Sequence, residues 1–408
     1  MNLPIRKLLD GNHAAAWAVK LSRAGVIPIF PITPQTEVVS QIADFVEKGE
    51  LKAEYVPVES EHSAMGVAAS ASATGCRTFT ASNSQGIVYM EEPIWWVSGW
   101  RLPVVMGIVN RAIGFPTSLG PDHNDSLLQR DTGWLQFYCE NAQEVLDTII
   151  QAYRIGEDKN VLLPVIVAWE GFVVSHAAMP VSIPDQEDVD KFLPFYEHPY
   201  INLVPDKYSF KIKQIGAVGE GTRFESGTEW RYQMELAHEY AKKLIPKINT
   251  EYGKITGRLY GKGLLEQYRC NGAEAVLITM GSITGTTRVV IDQLREEGKP
   301  IGLVKLRTFR PFPTEAIREI GAKVKAIGFI DRAISQGSAG GGPGSIETSR
   351  ALYSLEKHPL FMSFYCGLTS REVTTDDIRD IAETVLKAAE MGKIEKEVYW
   401  TQLRGEEL

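Results

Sequence analysis

The sequence lacks the long apolar run that a membrane-spanning helix needs, since no apolar stretch approaches ~18 residues. Its amino-terminal segment has no apolar core of the signal-peptide kind. Basic residues form no cluster, and the net charge at pH 7 is −8, so nucleic acid is not an expected partner. We therefore expect a cytoplasmic protein that engages neither a membrane nor a nucleic acid.

Cysteine is scarce, and its spacing excludes two common kinds of site. The four cysteines are Cys76, Cys139, Cys270 and Cys366, and no two of them form a C-x-x-C pair. Ferredoxin-type clusters and structural zinc sites need closely spaced cysteines. We expect no metal site within this chain, and we interpret the cysteines as buried thiols in a reducing compartment.

Two further motifs are missing. No G-D-G followed downstream by asparagine is present, although thiamine enzymes hold their diphosphate and magnesium with that pattern. The glycine-rich stretch 337–345 fits neither G-x-G-x-x-G nor the P-loop pattern. It is interpreted as a flexible loop or a subunit contact.

What the sequence does contain is a series of apolar segments that alternate with helical patterns. These segments are 26–30, 55–58, 77–81, 102–109 and 161–169 in the first half, and 275–280, 302–306 and 326–330 in the second half. This alternation predicts an α/β fold with parallel sheets covered on both faces. Between the two units, 181–272 is richer in Pro, Asp, Tyr and Lys. We predict one domain over 1–180, a connecting segment over 181–272 and a second domain over 273–408.

Each early strand ends in a polar or glycine-containing turn. These turns contain Thr33, the acidic run 59–61, the stretch 82–86 and the pair 110–111. Ligands of open α/β sheets bind at the carboxyl edge of the strands, where all four turns should meet. Thr33 precedes Pro34, which predicts a helix with a threonine N-cap and proline in the first helical position. A capped turn without any ligand is the alternative.

Glu61 and Arg111 are the strongest candidates for chemistry at this edge. Glu61 is at the start of a helix that is otherwise almost uncharged. A carboxylate there can simply stabilise the helix N-terminus. If it is buried, it needs a hydrogen-bond or ion-pair partner or has a functional role. Arg111 follows eight apolar or small residues at a strand end. It fits an anion-binding role, and a salt bridge to Asp125 or Asp131 is the alternative.

The segment 114–126, GFPTSLGPDHNDS, is too polar and too rich in glycine and proline for a helix or strand. It contains His123 between Asp122 and Asp125. A histidine in this setting can carry a proton or bind a metal, whereas a hydrogen-bonded loop residue is the alternative. Since the segment follows Arg111, we predict that it covers the substrate.

Several motifs in order resemble one family. They are "FPITPQTEVV", "YVPVESEHSAMGVAASASATGCRTFTAS", "RLPVVMGIVNRA", "LRTFRPFP" and "GLTSREVTTDDI". Together they resemble the α subunit of multi-subunit 2-oxoacid:ferredoxin oxidoreductases, such as the pyruvate and 2-oxoisovalerate enzymes. The similarity extends over essentially the whole chain.

The resemblance implies a pyrimidine-binding domain for thiamine diphosphate, followed by a transketolase C-terminal-like α/β domain. A β subunit would hold the diphosphate and Mg²⁺, and γ and δ subunits would carry 4Fe-4S clusters. Coenzyme A would be the cosubstrate, ferredoxin or another carrier the electron acceptor, and the assembly a dimer of the hetero-oligomer. Binding of these groups by other subunits accounts for the missing diphosphate motif and the missing cysteine clusters in this chain.

By this resemblance, Glu61 bonds to the pyrimidine ring nitrogen, Thr33 lies near the substrate's keto and carboxylate oxygens, and Arg111 pairs with that carboxylate. The residues expected at the cofactor besides Glu61 are Ser84, Gln85 and Gly86. Those expected in the substrate loop are Asn110, Asp122, His123 and Asn124.

The implied reaction is reversible oxidative decarboxylation of a 2-oxoacid, with coenzyme A, to acyl-CoA, CO2 and two electrons. Pyruvate is the first candidate substrate. The alternative is a branched or aromatic 2-oxoacid, such as 2-oxoisovalerate or phenylglyoxylate, in a larger pocket shaped by 113–126 and Trp95-Trp96. A subunit of a non-redox thiamine enzyme and a non-catalytic scaffold are further alternatives.

Overall fold

The computed structural model describes residues 5–114, 116–203, 205, 209–210 and 227–405. The first part of the chain alternates strands and helices, as predicted. Its elements are β1 Ile5–Leu9, α1 Gly11–Leu21, β2 Val26–Ile29, α2 Thr36–Glu47, β3 Glu54–Pro57, α3 Glu61–Ala73, β4 Phe79–Ser82, α4 Ser84–Tyr89, α5 Glu91–Gly99, β5 Val105–Asn110, α6 Asn124–Leu127, a 3₁₀ turn Leu128–Asp131, β6 Leu135–Tyr138, α7 Ala142–Gly156, β7 Val165–Glu170, β8 Met179–Ile183 and α8 Gln186–Phe192.

The remaining elements form the second half. They are β9 Ile201–Asn202, β10 Ser209–Phe210, α9 Gly227–Thr256, β11 Leu265–Tyr268, β12 Ala275–Thr279, α10 Ile283–Glu296, β13 Ile301–Leu306, β14 Thr308–Arg310, α11 Thr314–Gly321, β15 Ala326–Asp331, α12 Pro343–Leu352, β16 Leu360–Tyr365, a 3₁₀ turn Leu368–Ser370, α13 Thr375–Met391 and β17 Val398–Trp400. None of the described helices is long and apolar enough to span a membrane.

The first sheet has the order β14-β6-β7-β5-β4, in which all pairs are parallel except β14 with β6. The parallel pair β2-β3 extends it, because Val26 bridges to Thr78 just before β4. Strands β4 to β7 are buried along their whole length because helices cover both faces of the sheet. The carboxyl ends of these parallel strands therefore share one edge, as the α/β prediction requires.

The turn after β2 differs from its prediction. Helix α2 begins at Thr36, and Gln35 holds the N-cap position without a side-chain cap bond. The predicted N-cap at Thr33 is therefore wrong. Bonds to distant parts of the chain determine this turn: Asn12 Nδ2 donates to Pro34 O at 2.7 Å, and Gln35 Nε2 donates to Ala81 O at 3.2 Å. These tertiary bonds override the local cap signal.

The second sheet has the order β11-β13-β12-β15-β16-β17, with β11 antiparallel and the other pairs parallel. Strand β11 comes from the stretch that the sequence assigns to the connecting segment, and the long helix α9 packs on α7 of the first domain. The division at 180 and 272 stays a prediction.

A buried charge network joins the end of β13 in the second sheet to helix α7 of the first domain. Lys305 Nζ lies 2.5 Å from Glu144 Oε2, and Arg307 Nε donates to Glu144 Oε1 at 3.1 Å. Strand β14 follows directly and pairs with β6 of the first sheet. Because a buried ion that loses its partner costs several kcal/mol, this network fixes how the second domain sits on the first.

Candidate functional site

The carboxyl edge of the first sheet brings the predicted turns together. Arg111, after β5, donates a guanidinium N–H to Thr33 O, after β2, at 2.9 Å. Asn83, after β4, donates its side-chain amide to Ile32 O at 3.2 Å. The Thr33 side chain is exposed, and its carbonyl is the group that Arg111 contacts.

Glu61 is the first residue of α3, directly after the N-cap Ser60. Its side chain is only 7% exposed, yet no hydrogen bond or ion pair engages its carboxylate among the residues described here. A β-carbon on Gly86 would lie 2.5 Å from Glu61 Oε1 and 2.3 Å from Ser82 Oγ. The buried Ser82 hydroxyl also has no partner within the described structure. A buried acceptor therefore faces a space that only a glycine leaves open.

The other two residues predicted at the cofactor lie differently. Ser84 is buried at φ 48°, its amide donates to Asp125 Oδ2 at 2.9 Å, and its hydroxyl to Ala112 O at 2.5 Å. Gln85 is exposed, and its amide oxygen contacts the Ser84 hydroxyl. Of the three, Gly86 is the residue that the structure places against Glu61.

Arg111 forms neither of the salt bridges considered from sequence. Asp125 accepts from the Arg111 backbone amide at 2.9 Å, while Asp131 lies near Arg130 and Arg310. In the described part of the chain, no acid pairs with the Arg111 guanidinium, and its buried Nε lacks a partner. An arginine without a carboxylate partner at a ligand-binding edge can bind an anion from outside the chain.

The loop 116–126 is docked on the second domain. Asn124 Nδ2 donates to Ile334 O at 2.8 Å, and Ile334 N donates back to Asn124 Oδ1 at 2.9 Å. The His123 amide donates to Arg332 O at 2.8 Å. Asp122 is buried and accepts from the Asn124 amide at 2.9 Å. These contacts tie the loop to the carboxyl edge of the second sheet.

His123 lies in a buried ion network that the sequence did not reveal. Its Nε2 donates to Glu170 Oε1 at 2.8 Å, and Arg332 lies 3.2 Å from Glu170 Oε2. Burial would raise the pKa of the Glu170 carboxyl, but Arg332 and the bond from His123 outweigh it and lower that pKa to about 2. Glu170 ends a buried strand, as Asn110 does, and that shared position is the signal that could have found it.

Asn110 and Asp125 form a second buried group beside Arg111. Asn110 Nδ2 donates to Asp125 Oδ1 and to Ser126 Oγ, both at 2.7 Å. Burial raises the pKa of Asp125, and its hydrogen bonds oppose that rise. The sequence offered Asp125 only as a possible ion-pair partner, because nothing local shows that this carboxylate joins two distant turns to its own loop.

Neither tryptophan of α5 lines the cavity of about 550 Å³ between the loop at 119–121 and the second domain. Trp95 donates to Glu91 and lies under Arg231, while Trp96 is 56% exposed. No group of three or more His, Cys, Asp or Glu side chains suited to a metal ion occurs in the described ranges.

Comparison with protein families and known proteins gives consistent matches over the chain. Residues 18–250 match the family described as "Pyruvate flavodoxin/ferredoxin oxidoreductase, thiamine diP-bdg", and residues 273–378 match "Pyruvate:ferredoxin oxidoreductase core domain II". The pyruvate synthase subunit PorA of Pyrococcus abyssi is 44% identical over 99% of this chain and 100% of the relative. The ketoisovalerate oxidoreductase subunit VorA of Pyrococcus furiosus is 43% identical over 98% and 99%.

Two solved structures share the fold. A 2-oxoglutarate:ferredoxin oxidoreductase from Magnetococcus marinus matches with a TM-score of 0.69 at 18% identity, over 93% of this chain and 65% of that chain. A split-gene transketolase matches with a TM-score of 0.54 at 14% identity, over 92% and 98%. The predicted layout of a thiamine-enzyme domain followed by a transketolase-like domain is confirmed. With full-length relatives at this identity, the chain belongs to the pyruvate flavodoxin/ferredoxin oxidoreductase family, as a 2-oxoacid oxidoreductase subunit of the PorA and VorA kind.

Proposed function

We propose that this chain binds the pyrimidine ring of thiamine diphosphate and the carboxylate of a 2-oxoacid within a multi-subunit oxidoreductase. The observation that supports this most strongly is the Glu61 carboxylate, buried and unpaired among the described residues, opposite Gly86. A largely buried carboxylate without a protein partner is available to accept a hydrogen bond from a ligand.

The residues around Glu61 fit the aminopyrimidine of that cofactor. The carboxylate accepts a hydrogen bond from a ring nitrogen, the Ser82 hydroxyl is a second unpartnered polar group beside it, and Gly86 leaves space for a flat ring. When bound, thiamine diphosphate supplies an acidic thiazolium carbon and an electron sink for decarboxylation. The task of Glu61 is to hold a proton at the pyrimidine ring nitrogen, which activates the cofactor.

Arg111 is assigned to the substrate carboxylate. Its guanidinium is held at the sheet edge by Thr33 O and lacks an acidic partner in the described chain. A guanidinium pairs with a carboxylate through parallel N–H donors, which fixes orientation as well as position. Thr33 stays a proposed neighbour of the substrate's oxygens.

The reaction proposed is reversible oxidative decarboxylation of a 2-oxoacid to acyl-CoA, CO2 and two electrons, with pyruvate as the first candidate. A branched substrate is the second candidate, because relatives named for pyruvate and for ketoisovalerate are equally similar to this chain. Turnover of pyruvate, 2-oxoisovalerate and phenylglyoxylate by the same complex decides between them. A clear preference for pyruvate would rule out the larger pocket.

Partner subunits supply what this chain lacks. We assign the diphosphate and Mg²⁺ to a β subunit, the 4Fe-4S clusters to γ and δ subunits, and electron uptake to ferredoxin, in a cytoplasmic dimer of the hetero-oligomer. An exposed aromatic face beside Glu61 supports such an assembly: Tyr89 is 61% exposed, its ring lies 6.3 Å from that of His62, and Trp96 is also exposed. Large exposed aromatics are typical of protein interfaces.

The substitution Glu61→Gln in the assembled complex tests this assignment. An amide cannot hold the proton that the pyrimidine nitrogen requires, so we expect 2-oxoacid turnover to fall by more than tenfold while the subunits still assemble. Glu59→Gln is the matched control, because Glu59 is an exposed acid two residues earlier that bonds to Ser63 Oγ. Near-normal turnover by the Glu61 variant would remove the proposed cofactor role.

The non-redox alternative has its own test. An iron-containing complex that reduces a low-potential electron carrier supports the oxidoreductase, whereas an iron-free assembly that decarboxylates without transferring electrons supports the alternative. The measurement needs only the metal content and the reduction rate of the purified assembly.

A further inference from the structure

Asp125 is a buried carboxylate that joins its own loop to two other turns of the site. Its Oδ2 accepts the backbone amides of Ser84 and Arg111, both at 2.9 Å. Its Oδ1 accepts the Asn110 side-chain amide at 2.7 Å and the Ser126 amide at 2.8 Å. All four bonds go to N–H donors, as an ionised carboxylate allows.

The two bonds to Oδ2 connect the two halves of the proposed site. Ser84 opens the short helix whose third residue, Gly86, faces Glu61. Arg111 presents its guanidinium at Thr33. One oxygen atom therefore sets the distance between the turn on the cofactor side and the arginine on the substrate side.

The loop that holds Asp125 is itself fixed from the second domain. Asn124, its immediate neighbour, exchanges two hydrogen bonds with Ile334, and His123 bonds through its amide to Arg332. The edge of the second sheet thus supports the loop, and the loop supports the backbone under Arg111. No bond from Asp125 to a group outside the chain is needed for this arrangement.

We propose that Asp125 is a positioning residue that holds the Ser84–Gly86 turn and Arg111 in register, so that cofactor and 2-oxoacid are bound at a fixed separation. This inference rests on the proposed function. Asp125 touches neither ligand, and its effect reaches both through the backbone. Misplacement of a binding group by about 1 Å is sufficient to cost a large factor in rate.

Two substitutions of Asp125 should weaken the binding of the 2-oxoacid to different extents. Asp125→Ala removes both acceptor oxygens. Asp125→Asn retains one, and it can direct that oxygen at Ser84 and Arg111, because Asn110 Oδ1 is buried without a partner and can accept the new amide. The asparagine loses the charge that strengthens these two bonds, and it also loses the bonds that Asp125 Oδ1 accepts from the Asn110 side chain and the Ser126 amide. We expect the KM for the 2-oxoacid to rise about threefold to tenfold in the asparagine variant and more than tenfold in the alanine variant.

The experiment uses the assembled complex and two measurements. One is the KM for the 2-oxoacid, with the KM for coenzyme A as an internal reference expected to stay within about twofold. The other is the Kd of thiamine diphosphate from equilibrium dialysis without turnover, which we expect to rise in the same order of variants. If the alanine variant does not assemble, the asparagine variant alone decides.

Asp147→Asn is the control for a purely structural effect. Asp147 is also buried and accepts from Arg258, Tyr252 and Tyr260, none of which is a residue of the proposed site. The Asp147→Asn substitution should lower the Tm and leave the KM for the 2-oxoacid and the Kd of thiamine diphosphate unchanged. Wild-type constants in an assembled Asp125→Asn complex, or equal shifts in the Asp147 control, would overturn the inference. A wild-type complex without 2-oxoacid turnover would instead overturn the proposed function.

Discussion

Gly86 and Glu61 stand so close that a β-carbon on the glycine would lie 2.5 Å from the carboxylate oxygen Oε1. The hydroxyl of the buried Ser82 is equally near, so an alanine here displaces the Glu61 and Ser82 side chains rather than the backbone. For Gly86→Ala we expect turnover to fall by more than tenfold. The free energy of unfolding should fall by about 1–3 kcal/mol, because the methyl group crowds the buried Ser82, although alanine favours the helix that contains the residue.

Gly285→Ala is the control for a general effect of a methyl group on a helix. A β-carbon there would have only Glu140 Oε1 nearby, at 3.7 Å, which is an ordinary contact. Turnover of both variants is measured beside their unfolding by denaturant. A Gly86 variant with normal turnover would show that the position of Glu61 does not need this glycine.

The sequence predicted the sheet and its ligand edge because both depend on local patterns. Apolar strands that end in polar turns are visible in the chain, and parallel pairing then brings Glu61 and Arg111 to one edge. Thr33 shows where such patterns fail: its cap signal was overridden by the buried side chains of Asn12 and Gln35, which are distant or oriented only by the fold. Glu170 and Asp125 were missed because their partners are far away in sequence.

The substrate loop illustrates the same limit. Its composition showed that it is neither helix nor strand, but not that Asn124 pairs with Ile334 across 210 positions. His123 seemed a candidate for proton transfer from its acidic neighbours alone. In the structure its Nε2 bonds to Glu170, which comes from the end of β7. Contacts between domains have no signature in a single local stretch.

Arg111→Met tests the assignment of the substrate carboxylate. The methionine keeps an unbranched apolar stem but removes the guanidinium and every N–H donor, so we expect the apparent affinity for the 2-oxoacid to fall by about 2–5 kcal/mol, as for a truncated charge pair. Binding of thiamine diphosphate should be retained. The KM for the 2-oxoacid and the Kd of the cofactor are the two measurements.

Arg130→Met is the matched control for Arg111, since Arg130 is also half-buried but lies beside Asp131 and bonds to Leu127 O. Its KM should stay near the wild-type value. If the Arg111 variant has an unchanged KM for the 2-oxoacid, a group other than Arg111 binds the substrate carboxylate.

Trp96→Asp tests the aromatic face as the contact with a partner subunit. A carboxylate in the centre of a buried apolar interface is left unpaired, so the variant should co-purify with its partner subunits in strongly reduced yield while remaining folded alone. Tyr353→Asp is the control, because Tyr353 is exposed on the second domain. Equal recovery of partners with both variants would place the interface elsewhere.

Asp122→Asn tests how much the buried charge of Asp122 in the substrate loop destabilises the folded protein. The measured quantity is the pH dependence of thermal stability. Burial raises the pKa of Asp122 from 3.8 to about 6, against the lowering effect of the bond from the Asn124 amide. Between these two values the folded state binds more protons than the unfolded state. The contribution of this group to stability therefore increases as the pH falls from 6 toward 4, and at pH 7 the ionised group costs about 3 kcal/mol.

The asparagine keeps the acceptor oxygen for Asn124 but is neutral at every pH. We therefore expect Asp122→Asn to unfold at a higher temperature than the wild type at pH 7, and the difference to disappear near pH 4. Asp131→Asn, at an exposed acid in the following 3₁₀ turn, removes no buried charge and should show no such difference. Thermal unfolding of the complexes from pH 4 to 8 is the measurement. A difference that stays constant over this range would mean that Asp122 does not titrate within it, and that the loop remains charged in the folded protein.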